Sequence, residues 1–420
     1  MLIDRNIDRI LGARVDGRSE PTDILIADGR VAGMIAADVG QGDGRRAGGE
    51  RAATLDAGGR AVVPALVDAH VHLDKAFLLA AAESEGSVPR AELGAAIAAV
   101  ASLRGRIGLP DVHRGAERAI DRLVAQGVTA ARAHVEIDPA LGLDLVLLHQ
   151  QLAQQHRERI ALDLVAFPQR GLEAPGMPEL FAAAMAQGLA VVGGCPYVDQ
   201  DPRRHLDLVF ALAERHGAPV DLHLDFTDDA DRSLLALVVE RTRALAMDGR
   251  VTIGHVTTLA AMPPDAQARA LDALARAGIA LVVLPVTDLY LGGHGEPGSR
   301  SLAPWERAAD AGVRVAIANN NIENPFAPFG NGNLLQAAWL AGLARRGSAP
   351  SRRRALFDAI TRTPAEILGL PEHGPAPHAH AHVILLDTDD PVDVVLRAPA
   401  VLATVRAGRL VHTLTGPTVT

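Results

Sequence analysis

The sequence predicts an α/β fold, a (β/α)8 TIM-like barrel carrying a small β-sandwich assembled from the two ends of the chain. Three observations lead there. Eight strongly apolar or β-branched runs alternate with segments of 3.6-residue periodicity through the middle of the chain, the alternation that builds a parallel barrel. Short strand patterns occupy both chain ends. Five of the 16 histidines fall at or just past the C-terminal ends of the expected barrel strands, where such barrels carry their chemistry.

Taken in order, residues 1–60 read as short strands with tight turns: DILIAD, a hairpin signal at Asp28-Gly29, then VAGMIA. The stretch 40–49, GQGDGRRAGG, is too rich in glycine and charge to pack and is expected to be a mobile surface loop. Barrel strands are expected at 62–70, 128–134, 160–167, 190–194, 219–224, 251–255, 279–284 and 313–318. Segments such as Pro202 to Gly217 and Asp229 to Asp248 have the period of outer-ring helices. A doubly wound open sheet is the competing architecture, but no G-x-G-x-x-G follows any of these strands. From His382 the β pattern returns as HVILLD, VDVVL and AVLATVRAGRLVHT, so the sandwich is drawn from 1–60 and 380–420 and the barrel from 61–379. His378, His380 and His382 alternate along an extended piece read as a solvated linker.

A chain of 420 residues with 48% hydrophobic content buries a large core. Its net charge of −9 with scattered arginines gives no basic stripe, which argues against a nucleic-acid partner. The opening MLIDRNIDRI lacks an apolar signal core and no long apolar run follows, so neither export nor a membrane is expected. The single cysteine, Cys195, has no partner for an internal disulfide; it reads as a small buried thiol, and the expected compartment is the cytoplasm. Trp305 and Trp339 fall on expected helices and are read as packed. All 41 basic residues but one are arginine, and the exception is Lys75. A chain that uses arginine wherever charge alone is wanted keeps lysine where a compact ammonium is needed.

The chemistry centres on Ala61 to Phe77, AVVPALVDAHVHLDKAF. Side chains on a strand repeat every second residue, so His70 and His72 leave it on one face and form a clip for a metal. Imidazole ligands favour a transition metal over Mg or Ca. The other strand ends add His134, His223 and His255, then Gln169, Cys195, Asp288 just past strand seven, and Asn319-Asn320-Asn321 after strand eight. His70, His72 and His223 are expected to meet round one divalent ion, Zn or Fe, with Asn320 or water completing the shell. Strand four offers no lysine for a bridging carbamate, so one ion is expected rather than two. The glycine-rich stretch from Asp288 to Arg300, with His294 in it, is read as a substrate lid.

With VDAHVHLDK, RAHVEID, VAFPQRG, HLDFTDD, GHVTT and ANNNIENPFAPFGNGN in hand, nearly the whole chain resembles the amidohydrolase superfamily, in the branch of cytosine deaminase and N-isopropylammelide isopropylaminohydrolase. The resemblance implies a distorted barrel with a β-sandwich, metal ligands at His70, His72 and His223, and commonly a homo-oligomer. It also implies that His255 polarises water or a substrate carbonyl and that Gln169 hydrogen-bonds a cyclic amide. Two departures stand out. Phe226 occupies the position of the glutamate that shuttles a proton in the family's deaminases, and Asn320 that of the aspartate that binds the metal and takes the proton from its water. Asn321 likewise replaces a substrate-side aspartate. Asparagine offers an amide oxygen but cannot accept a proton at neutral pH.

Three readings follow. The first is a metal-dependent C–N hydrolase of a small cyclic nitrogen compound with relocated proton transfer, carried by His255, Lys75 or Asp225, with Asp288 and Glu323 as further carriers. In it Gln169, Phe226, Asn321, Asp288 and His134 face the substrate. The second is a three-histidine Fe(II) oxygenase or another non-hydrolytic enzyme. The third is a catalytically silent binding protein.

Overall fold

The computed structural model describes residues 5–37, 53–84, 91–293 and 301–414. The loop expected at 40–49 and His294 lie outside these residues. Eight parallel strands form one sheet in sequence order: Leu66–Val71, Val128–Glu136, Ala161–Phe167, Val191–Gly194, Val220–Leu224, Val251–His255, Ala280–Val283 and Val315–Ile317. The last strand returns to the first. The Asn320 amide donates to the His70 carbonyl at 2.9 Å, and the His72 amide donates to the Asn320 carbonyl at 2.7 Å, which closes the barrel at the end that carries the histidines.

These strands form because their runs bury both faces: every residue of Val128–Glu136, Val220–Leu224 and Val251–His255 is buried. Helices pack outside, with signals legible in the chain. Asp201 caps Pro202–His216 by accepting from the Arg203 and Arg204 amides, and Gly217 ends that helix at φ +60°. Asn333 caps Leu334–Ala344 in the same way.

Five strands from both chain ends form a second sheet, in the order Arg5–Asn6, Arg409–Thr413, Val401–Arg406, Val383–Leu386, Val62–Pro64. A four-stranded sheet, in the order Arg30–Ala36, Thr22–Ala27, Arg9–Ala13, Thr54–Asp56, shares an apolar core with it through Ile10, Ile24, Leu55, Val383 and Val405. The strand expected at 62–70 is therefore two. Val62–Pro64 pairs antiparallel with Val383–Leu386, and only Leu66–Val71 enters the barrel. Pro64 carries no N–H to continue a ladder, and the chain changes sheets directly after it.

Other expectations also change. The stretch from Asp288 begins not as a loop but inside a helix, Pro285–Leu291, started by a proline that needs no N–H partner. Trp305 is buried and its Nε1 donates to the Ala341 carbonyl at 3.1 Å, whereas Trp339 is 43% exposed beside Leu343. His380 and His382 stack at 5.5 Å, and His382 Nδ1 accepts from the Ala407 amide at 2.8 Å, so this segment is pinned to the sandwich rather than free in solvent. Among the described residues no helix is long and apolar enough to cross a membrane.

Candidate metal centre and substrate cavity

The barrel mouth is held in costly backbone conformations. Phe77, Asp225, His255, Asn320 and Glu323 all have positive φ, at 62°, 50°, 70°, 60° and 43°, although none is glycine. Such residues cost on the order of 1–3 kcal/mol each and persist where packing over-determines them. Asp225, His255 and Asn320 lie at or within three residues of a strand end and Phe77 and Glu323 in the loops beyond, where they turn the chain.

Within this frame His70 and His72, from the end of the first strand, and His223, from the fifth, converge. His223 Nε2 lies 3.1 Å from His70 Nε2 and 3.0 Å from His72 Nε2. His134 completes a group in which ligand atoms of His70, His134 and His223 all lie within 4.8 Å of one another. Burial first, then nearby positive groups, hold all four imidazoles well below the usual histidine pKa, so they are neutral with lone pairs available.

The donor set fits a cation. One N–H cannot serve two Nε2 contacts on His223. Among the described residues His70, His72 and His223 Nδ1, both nitrogens of His134 and Asn320 Oδ1 are buried without a hydrogen bond. Separations of 3.0–3.1 Å suit nitrogen ligands lying about 2.0–2.1 Å from one ion. His134 is the weaker candidate for this shell. Its ring stacks on His70 at 3.8 Å and 28°, so the in-plane lone pairs run side by side rather than converging. Nor does His134 line the cavity where a substrate was expected to meet it. The second strand runs two residues past it to Glu136, which leaves His134 one layer deeper, 3.7 Å from Asp221. Burial pushes that aspartate up to about 7 despite Arg132 at 3.0 Å.

The cavity beside the imidazoles is lined by His72, Gln169, Tyr197, His223, Phe226, His255, Thr287, Asn320 and Asn321 and covered by Leu93, Leu291 and Phe326. His255 Nδ1 is 2.6 Å from Asp288 Oδ1, and Phe226 packs on the His255 ring at 4.7 Å. Burial raises the pKa of Asp288, against the pull of His255. Asp288 stands behind His255 and does not line the cavity. Asp225 also lies off its wall, because its carboxylate accepts from Ser233 Oγ at 2.6 Å, the Leu234 amide at 3.0 Å and Thr258 Oγ1 at 3.1 Å, which ties down the loop after the fifth strand. Glu323 pairs with Arg122 away from the imidazoles.

Lys75 is 1% exposed and stands one hydrogen bond behind the cavity, donating to Gln169 Oε1 at 3.0 Å. Its ammonium lies 3.5 Å from Glu136 and 3.7 Å from Asp74, and Arg104 bonds both carboxylates at 3.0 and 2.9 Å. Burial alone would raise Glu136, but Lys75 and Arg104 hold it down at about 2. Asn321 Oδ1 accepts from Asn324 Nδ2 at 2.7 Å, and Asn324 Oδ1 accepts the Phe326 and Ala327 amides, which positions Phe326 over the mouth.

Sequence reasoning missed Tyr197, Thr287 and Leu93. Tyr197 and Thr287 each lie within three residues of a strand-end residue already singled out, so a wider window at each strand end finds them. Leu291 falls in the stretch read as a lid, whereas Leu93 comes from a flanking helix and carries no local signal. Cys195 is buried and its thiol is pushed up to about 12 by burial, as a packed thiol should be.

A barrel of eight parallel strands with imidazoles converging at its mouth defines a class, and the family model for amidohydrolases matches residues 109–412. The chain belongs to the amidohydrolase family and is a hydrolytic enzyme. It is 25% identical to a pterin deaminase of Rhizobium rhizogenes, over 84% of this chain and 78% of that one. The structure of 5-methylcytosine deaminase from Klebsiella pneumoniae superposes with a TM-score of 0.87 at 26% identity, covering 97% of this chain and 98% of that one. That of N-isopropylammelide isopropylaminohydrolase from Burkholderia multivorans gives 0.81 at 26% identity, with 97% and 99% covered.

Proposed function

We propose that this enzyme hydrolyses an exocyclic C–N bond of a small, nitrogen-containing ring compound, releasing ammonia or an amine. The similar proteins act on pterins, 5-methylcytosine and N-isopropylammelide by name, and all three are compounds of this kind. The observation that carries the reading is the His255–Asp288 pair at 2.6 Å, beside the converging His70, His72 and His223.

A Zn or iron ion held by His70, His72 and His223 would supply Lewis-acid polarisation and lower the pKa of water. The protein's own groups do the rest. Asp288 accepts the Nδ1 proton of His255 and so leaves Nε2 free to take a proton from water and return it to the departing nitrogen. This relocates the proton transfer that Asn320 and Phe226 cannot perform. Tyr197, Gln169 and Asn321 orient the ring, and Phe226 and Phe326 exclude bulk water. The free space between them is about 20 Å³, room for a single water, so Leu93, Leu291 and Phe326 part to admit a substrate.

The test is amine or ammonia release from a panel of amino- and alkylaminopyrimidines, triazines and pterins, run without oxygen on protein whose metal content has been measured. Turnover is expected under these conditions, with kcat falling about 10²–10⁴-fold in Asp288→Asn while the metal content is retained. Turnover that needs oxygen would point to an oxygenase instead. Asp288→Asn at full activity would remove His255 from the proton path.

A further inference from the structure

The polarity of the cavity wall at Gln169 is set from behind. A carboxamide can present either its oxygen or its NH2 group, and the two ends are interchangeable in shape. Lys75 removes the choice. Its ammonium has three protons and no lone pair, so its 3.0 Å contact is made to Oε1, and the reversed amide would set donor against donor. The ammonium itself is fixed. Its three protons face three oxygens, on Gln169, Glu136 and Asp74, at 3.0, 3.5 and 3.7 Å, and the Phe167 and Phe326 rings lie 5.5 and 5.9 Å away. Arg104 Nη2 bonds the same two carboxylate oxygens, Asp74 Oδ2 and Glu136 Oε2, and so holds them in place beside the ammonium. A guanidinium, flat and forked, does not match three oxygens converging on one point, which gives a physical reason for one lysine among arginines. Gln169 Nε2 makes no hydrogen bond among the described residues, and Gln169 is on the cavity wall.

We propose that Lys75 is a positioning residue that makes Gln169 an obligate two-proton donor. The site therefore selects ring compounds that present a carbonyl oxygen or an unprotonated ring nitrogen at this wall, and rejects those presenting an amino or N–H group there. The proposal rests on the reading of the cavity as a small-ring site. It deepens that reading by naming one edge of the substrate: an oxo or ring-nitrogen acceptor at the Gln169 wall.

Two inert rings of similar size test it by titration calorimetry on the purified protein. 1-Methyl-2-pyridone carries an acceptor and no N–H, and 2-methylaniline carries an amino donor. The wild type is expected to bind the pyridone about 10–100-fold more tightly, since the wrong partner leaves a buried donor unpaired. In Gln169→Glu one oxygen stays on Lys75 and the other faces the cavity, so the preference is expected to reverse. In Lys75→Met the amide is free to turn, and the preference is expected to fall to within about threefold. If Lys75 only supports packing, Lys75→Met weakens both ligands alike and Gln169→Glu keeps the pyridone preference; either result overturns the proposal. Equal binding of the two rings by the wild type overturns it while leaving the small-ring reading intact. Failure of both rings to bind at millimolar concentration overturns the two together.

Discussion

Glu136 lies at the centre of the charged cluster behind the cavity, and its ionisation sets an acid limit on the fold. Its pKa is about 2 in the native protein against an ordinary 4.5, because Lys75 and Arg104 outweigh the cost of burial. The sign follows from linkage. A carboxylate depressed by folding contributes stability that is fully present above about 4.5 and is lost as pH falls toward about 2. Glu136→Gln, which removes one of the two carboxylate charges beside Lys75 and Arg104, is expected to cost about 3–5 kcal/mol at pH 7. That deficit should shrink as the pH is lowered through this window, and urea midpoints of the two proteins against pH check it. A constant deficit would mean that folding leaves the ionisation of Glu136 unperturbed. At this scale much of the site was legible. His70 and His72 declare themselves through the two-residue period of a strand, and Lys75 through being the sole lysine. The depth of His134 was not legible, because nothing in RAHVE marks where the strand stops.

Among the elements, the segment after the last strand does the most with the fewest residues. It turns back so tightly that a Cβ on Gly330 would sit 2.0 Å from the Asn321 carbonyl oxygen, a contact with backbone that no side-chain rotation relieves. The Glu323 amide donates to the Gly330 carbonyl at 2.9 Å, which closes the loop that presents Phe326 to the cavity. Gly330→Ala is therefore expected to move this loop, lowering the melting temperature and weakening ligand binding together. Full ligand affinity in the variant would show that the loop is not needed to shape the mouth. Patterns in the chain located the strands well because each is a buried run bounded by turn residues. They misjudged the entry to the barrel, where VVPALV runs apolar without a break and only Pro64 betrays the change of sheet. They also miss the helix Pro285–Leu291, because the glycines that follow it make the stretch from Asp288 read as a loop.

For the whole molecule, the C-terminal strands serve two cores, one face packing in the sandwich and the other against the barrel. Ile384, Leu386, Val401 and Val411 from the C-terminal strands pack in the same apolar cluster as Val124 and Val128 of the barrel, and Thr404 Oγ1 donates to the Val124 carbonyl at 2.8 Å. Removing the strands would expose apolar surface that has no other cover. Calorimetry is expected to show a single unfolding transition, and a stop codon before Val401 to yield no folded barrel. Two separated transitions would contradict a shared core. The strand patterns at both chain ends were visible in the sequence. The shared core was not, since facing residues on distant segments leave no local trace.

The seam that closes the barrel also dates the site within the life of the chain. Asn319 and Asp68, joined by a 2.7 Å hydrogen bond at this seam, are 251 positions apart, and His72 is held by the Asn320 carbonyl. A ribosome adding roughly 5–20 residues per second completes His70 some tens of seconds before Asn320 appears. Until then the first strand has no neighbour on one side and its histidines no fixed direction. The imidazole cluster therefore waits on a seam between residues 251 positions apart, and it can assemble only once the last barrel strand has been made.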